Sequence, residues 1–330
     1  MHTSKRVAAL TVALALGALG LAACSSDESN GGASENASVD VSLKLTEMNR
    51  RAEVDPETAT VKFPVDYVGL SDQEDSDYLS AAYSAALTKC AREELDIPWV
   101  ALEPDGYSPT AHMWTKYGPW TKPVAEKFAF AIPMGDGALI VNGLVDEPEG
   151  YELTPLPNED LPEEQKREVY DVCGAKPEVE HFNEKPLWDA SSGPGWAALD
   201  DEAEAVNRDP RMQALVEELH VCYNENDIRF DANRPYVAFA ADAVWWDKPE
   251  MEGQKQITEE QIQLALKVVD CKDQVDFTQR AADIIAERQV PIIEEHADEL
   301  FQIRANWDAT VADAKEYIAA HPELFEPVTK

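Results

Sequence analysis

Basic residues are scarce in this chain: 28 Lys and Arg stand against 64 Asp and Glu, a formal charge of −36. A surface of that sign repels polyanions, which excludes nucleic acid and anionic lipid as docking partners. The acids are spread along the chain rather than gathered in a tail, and they suit solubility outside a cell or a cation-rich partner. Catalytic signatures are missing as well. There is no Gly-x-Ser-x-Gly, no His-Glu-x-x-His, no phosphate loop and no dinucleotide fingerprint. SSGPGW, Ser191 to Trp196, carries serine and glycine without a strand–turn–helix context and reads as a turn. The six histidines are scattered without ligand spacing, so neither a metal nor another cofactor is expected. DQEDSDY, Asp72 to Tyr78, lacks the glycine and the closing glutamate of a calcium loop. Acids there suit a helix N-terminus for dipole reasons alone. Carboxylates are abundant, but a glycosidase needs two that converge in a cleft. No catalytic residue is assigned.

The first 24 residues carry an address. MHTSKR supplies Lys5 and Arg6, an apolar run follows from Val7 to Ala23, and LAAC closes the segment at Cys24. A basic start, a short apolar run and small residues before a cleavage point make a secretory signal. The run is marginal for a membrane span. LAAC resembles the lipobox of bacterial lipoproteins, which implies cleavage before Cys24 and a diacylglyceryl group on its sulfur. Two acyl chains, at ~0.8 kcal/mol per buried CH₂, hold a protein on a bilayer where one is marginal. Residues 1–23 are therefore read as signal and 24–38 as a lipidated cysteine with a flexible tether of Ser, Gly, Asn and acid. Residues 39–330 form the extracytoplasmic domain, long enough to bury a sizeable core.

Four cysteines remain: Cys90, Cys173, Cys222 and Cys271. None has Cys-x₂-Cys spacing, and an exported chain meets an oxidising environment, so pairing is the default. Each falls on the apolar stripe of an expected helix. Leu79, Tyr83, Ala86 and Cys90 are spaced by four, three and four. Met212, Leu215, Leu219 and Cys222 share one face, as do Leu264, Val268, Cys271 and Val275. Val169 lies one turn before Cys173, with Gly174 as a stop. Cysteines facing a core meet one another across helix interfaces more readily than they attack a substrate. Helix ends are legible too. Asp209 and Pro210 offer a cap and a first-turn proline, and Thr258 with Gln261 makes a capping box that Ile257 and Ile262 staple. Four cysteines allow three pairings. An internal echo, CAREELDIPW from Cys90 and CYNENDIRF from Cys222, divides the domain into two repeat-like halves, about 70–185 and 200–320. The echo favours one bond within each half, Cys90–Cys173 and Cys222–Cys271.

The LAAC anchor, the helix ending in cysteine and YGPWTKPVAEKFAFAIP follow one another in order. DPRMQALVEELHVCYNENDI, ALKVVDCKD and a long C-terminal helix come after them. Together they resemble a group of actinobacterial extracytoplasmic lipoproteins of uncharacterised function, over roughly residues 75–320. Members of that group generally show Cys-Met and then Gly-aromatic where this chain has Tyr223 and Asn226-Asp227. The resemblance carries the anchor and four cysteines and no catalytic residues. It also implies a short helix over VAEKFAF, whereas KFAFAIP and ALIVNGL around MGDG read by themselves as a β-hairpin within 128–144.

Tyr107, Trp114, Tyr117 and Trp120, in a Pro- and Gly-rich segment, are candidate ligand contacts; such aromatics more often pin a loop to the core. Trp245 and Trp246 point different ways in any regular element, so one is a candidate partner contact. From Phe277 to Ala320 the chain is helix-forming, with Pro291 kinking it or dividing it. Beyond the proline, Ile293, Ala297, Leu300, Trp307, Val311, Ala314 and Ile318 form a stripe in which Arg304 fills one gap. That stripe packs on its own domain or in a coiled coil. The reading is a mainly α-helical, lipid-anchored protein on the outer face of the cell membrane. Its expected role is non-enzymatic accessory, binding or sensing work with an envelope protein or wall partner. A cell-wall hydrolase is the alternative, and a transporter solute-binding lipoprotein, which needs two α/β lobes, is the next.

Overall fold

The apolar stripes become buried helix faces. In the computed structural model, residues 39–70, 73–104, 117–148, 158–190, 192–230 and 256–328 are described. Cys24, Tyr107, Trp114, Trp245 and Trp246 lie outside them. The described residues hold α1 (Val41–Glu47), α2 (Gln73–Glu94), α3 (Lys122–Phe128), α4 (Asp136–Val141), α5 (Glu163–Cys173) and α6 (Pro177–Glu180). They continue with α7 (Glu184–Ala190), α8 (Pro194–Ala205), α9 (Pro210–Glu225), α10 (Glu259–Gln274), α11 (Phe277–Glu295) and α12 (Ala297–Ala320). The fold is mainly α. Its one described sheet is a hairpin of β1 (Glu53–Asp55) and β2 (Thr60–Lys62), antiparallel with Val54 opposite Val61. The Asp55 carboxylate closes the turn by accepting from the Glu57 amide at 2.9 Å and the Thr58 hydroxyl at 2.8 Å. Among the described residues no helix is long and apolar enough to cross a membrane.

Of the two alternatives for this stretch the hairpin within 128–144 is not formed; the helix over VAEKFAF is, as α3, which ends at Phe128, and α4 follows from Asp136. Pro123 sits in the first turn of α3, and Ala129 ends it with a positive φ of 49°. The turn then drops Phe130 into the core, and α4 follows with Leu139 buried. The alternation read as strand thus comes from the end of α3, the turn after it and the one-sided α4. SSGPGW is likewise more than a turn: Gly193 is the N-cap of α8 and Pro194 its first residue. A side chain at Gly195 would sit 2.8 Å from the His296 Cβ, so glycine lets α8 approach the junction of α11 and α12. The Gly195 amide there donates to both Glu299 carboxylate oxygens at 3.2 Å.

The caps form as the sequence implies. Asp209 accepts from the Arg211 amide at 2.8 Å, and Thr258 and Gln261 bond reciprocally at 3.3 and 3.0 Å. Pro291, by contrast, neither ends nor divides the helix. It stays inside α11, and the break falls five residues later at His296. Beyond it Leu300, Trp307, Val311 and Ala314 are buried. Arg304, the gap in that stripe, donates to the Gly69 carbonyl at 2.7 Å and to Asp75 at 3.0 Å. The stripe therefore packs on its own domain, along α2.

Two apolar cores contain one disulfide each. The first gathers α9, α10 and α11 around Cys222 and Cys271; the second gathers α2, α5 and the C-terminal part of α12 around Cys173 and Cys90. A third cluster joins α8, Val68 and the α11–α12 junction. The bounds drawn at 70–185 and 200–320 do not separate the first two cores. α12 packs on α2, and α3 packs on α10, so each core takes a helix from the other half.

Cys90 is bonded to Cys173 and Cys222 to Cys271, with Cα–Cα distances of 5.9 and 5.6 Å, inside the range a disulfide spans. They close loops separated by 83 and 49 residues. The chain-entropy model assigns each about 4 kcal/mol, an upper figure. Replacing Cys222 and Cys271 together with alanine is expected to lower the urea-unfolding free energy by roughly 2–4 kcal/mol, and replacing Cys90 and Cys173 likewise. A pair whose removal leaves the midpoint unchanged is not acting as a staple.

Candidate functional site

A groove of about 610 Å³ lies on the Cys90–Cys173 core, between α2, α5, the start of α7 and the chain around Trp99. Its position follows from local hydrogen bonding. Asn158, held at a positive φ of 69°, uses its amide as a strand would. The side chain accepts from the Val100 amide and donates to the Val100 carbonyl, both at 2.8 Å. Asparagine tolerates that backbone conformation better than most residues. Ser84 on α2 accepts from the Leu102 amide at 2.9 Å and holds the other end of the segment. Arg92 fixes the segment from behind, donating to the Trp99 carbonyl at 2.7 Å and to the C-terminal carbonyls of Glu323 and Glu326.

The floor of the groove is apolar and aromatic. Leu87, Trp99 and Phe182 are buried, while Tyr170 stands 53 % exposed with its ring edge-on to Trp99 at 5.8 Å. Tyr83 is half-buried; burial raises its phenol pKa, and the neighbouring Tyr170 and Glu180 add to the shift. The polar groups are largely occupied by the chain itself. Lys166 donates to the Glu159 carbonyl at 2.9 Å and to Glu163 at 2.8 Å. Asn183 accepts from the Lys185 amide and donates to Glu180. Glu184 accepts from Ser80 at 3.4 Å and from the Trp188 indole at 3.2 Å. A smaller cavity of about 310 Å³ lies where the three clusters meet, walled by Leu70, Leu199, Val206 and Ile285. Beside it Arg288 is tied to Glu202 and, at 3.0 Å, to Asp209.

The aromatic candidates do not assemble a site. Tyr117 is 2 % exposed and packs edge-on against Phe277 at 5.4 Å; Trp120 is 6 % exposed. Both belong to the core, the pinning arrangement of a Pro- and Gly-rich loop, and Tyr117 reaches only the smaller internal cavity. Trp114, Trp245, Trp246 and the lipidation candidate Cys24 fall outside the described residues. The four core cysteines are brought together in two pairs, away from any nucleophilic role. The groove residues Tyr83, Trp99, Tyr170 and Phe182 were not singled out, because they come from four segments that only the tertiary fold brings together. Their one sequence signal was the Tyr83 position on the α2 stripe.

A second residue without a sequence signal is Lys272. It follows Cys271 on α10 and is 1 % exposed. Its Nζ donates to the Tyr117 carbonyl and, at 2.7 Å, to the Pro119 carbonyl. That clamp holds the Tyr117–Trp120 turn on α10. Burial pushes the Lys272 pKa well below the usual lysine range. The folded chain then binds fewer protons there than the unfolded chain, at pH values between the lowered pKa and about 10.4. Folding stability contributed by this residue must rise with pH across that window. The stability of the native chain relative to Lys272→Met is therefore expected to grow as pH rises toward the ordinary lysine pKa of about 10.4, read by urea unfolding. A difference independent of pH would show that Lys272 titrates alike in both states. No protein-family model matches the chain, and no curated protein or solved structure is significantly similar to it.

Proposed function

We propose that the chain is a lipid-anchored extracytoplasmic binding component that works without catalysis and uses the Tyr83–Trp99–Tyr170 groove as its recognition surface. The observation that carries this reading is the groove itself. Its floor is apolar, its volume lies within the range of ligand sites, and the surrounding hydrogen bonds hold its walls in place. Tyrosine and tryptophan supply large contact areas at low entropic cost, the composition of binding hot spots. The signal-like first 23 residues and Cys24 support an anchor outside the cell, and two cystines suit an oxidising compartment. The mainly helical build weighs against the transporter alternative, which calls for two α/β lobes.

A photo-crosslinking phenylalanine analogue replacing Tyr170 in intact cells tests the surface. It is expected to give discrete envelope adducts that the same analogue replacing Val221, 58 % exposed on α9, does not. Identical adducts from both positions would remove the groove from the account. Cys24→Ser in the same cells is expected to release the protein from the membrane fraction; retention would contradict the anchor.

A further inference from the structure

We infer that the groove recognises a short extended segment of a partner protein carrying alternating cationic and apolar side chains; this rests on the groove being the binding surface. Hydrogen-bond accounting separates it from a sugar site. Glycans are held by free amides and carboxylates in addition to stacking faces, yet the groove's two asparagines are already engaged. Asn158 bonds both ways to Val100, and Asn183 bonds to Glu180 and the Lys185 amide. What remains for a ligand is apolar contact and acidic charge: Leu87, Trp99 and Phe182 on the floor, Tyr170 and Leu102 standing 53 % and 47 % exposed beside it, and the carboxylates of Glu159 and Glu184 on the wall. A surface of that kind orients an occupant by shape and by charge rather than by paired hydrogen bonds.

The charge is of one sign. The ionisable acids and bases on the wall are Glu159, Glu184 and Lys166. The lysine is spent on Glu163 and the Glu159 carbonyl. Of the basic side chains nearby, Lys89 pairs with Glu178, Lys176 with Glu94 and Lys185 with Asp189, Arg92 is spent on main-chain carbonyls behind Trp99, and Arg167 stands exposed on α5. The net field is negative and belongs to a chain of charge −36. Such a field steers cationic partners and repels anionic ones. Aromatic faces next to carboxylates add cation–π attraction for lysine or arginine. An extended segment turns alternate side chains to opposite sides, so one row can enter the apolar floor while the other meets the acids.

Three labelled hexapeptides test this by fluorescence anisotropy against the full chain carrying Cys24→Ser, at about 0.15 M salt. They alternate leucine with lysine, with glutamate or with glutamine. The lysine peptide is expected to bind at least about tenfold more tightly than the glutamate peptide, and Tyr170→Ala to weaken it about fivefold or more. Val221→Ala should leave it unchanged. Lysine-peptide binding that ignores both Tyr170→Ala and Leu102→Ser would be diffuse attraction to an acidic surface, and it would overturn the inference. Equal binding of all three peptides that is lost in Tyr170→Ala would overturn the cationic preference and leave the groove as a binding surface. Absence of any Tyr170-dependent binding would overturn the inference, with the photo-crosslinks then deciding the groove separately.

Discussion

Cross-linking between apolar helix faces is the constraint on which the rest of this structure depends. Cys222 and Cys271 are 2 % and 1 % exposed, and Cys173 is fully buried; their sulfurs lie where α9 meets α10 and α2 meets α5. A chain of charge −36 repels itself when compact. Two closed loops restrict the unfolded ensemble and so offset that repulsion without adding core. The interlock strengthens the effect. Because α12 packs on α2 and α3 on α10, neither disulfide-bearing core can open without disturbing a helix from the other half of the sequence.

The few cations are placed where helices join. Arg304 binds Asp75 across the α2–α12 seam, and Lys272 clamps the Tyr117–Trp120 turn to α10. Arg211 and Arg288 converge on Asp209, the cap of α9, and hydrogen bonding to Arg211 foremost holds that carboxyl well below the usual carboxylate range. A depressed carboxylate contributes stability above its ordinary pKa of about 3.9 and loses it as pH falls to the folded value. Asp209 therefore becomes a weak point only under strong acid. At neutral pH it binds the cap, α11 and Glu202 into one network.

Much of this was legible because the signals were local. The stripes through Cys90, Cys222 and Cys271, the caps at Asp209 and Thr258, and the packed face from Leu300 to Ala314 each need only helical periodicity and side-chain chemistry. The failures share a cause: the deciding contact came from distant residues. Residues 128–144 alternate well enough for strands, but Phe128, Phe130 and Leu139 are all drawn into the core around α9, α10 and α11 from a helix end, a turn and a short helix. Pro291 is carried within a helix whose break falls at His296, where Gly195 approaches closely. Lys272 looks like a surface residue until Tyr117 and Pro119 are folded over it. The groove was illegible for the same reason, since Asn158 and Val100 meet only in the folded chain.

The groove sits on the core whose disulfide fastens α2 to α5, the two helices that supply Tyr83 and Tyr170. The groove and the cross-link are thus parts of one construction, and the pairing of the sulfurs is its foundation. Proteolysis of the purified protein without reductant, followed by mass spectrometry of the linked peptides, tests that pairing most directly. The account requires one peptide pair joining Cys90 to Cys173 and another joining Cys222 to Cys271. Free thiols at these positions, or links between the two pairs, would contradict it.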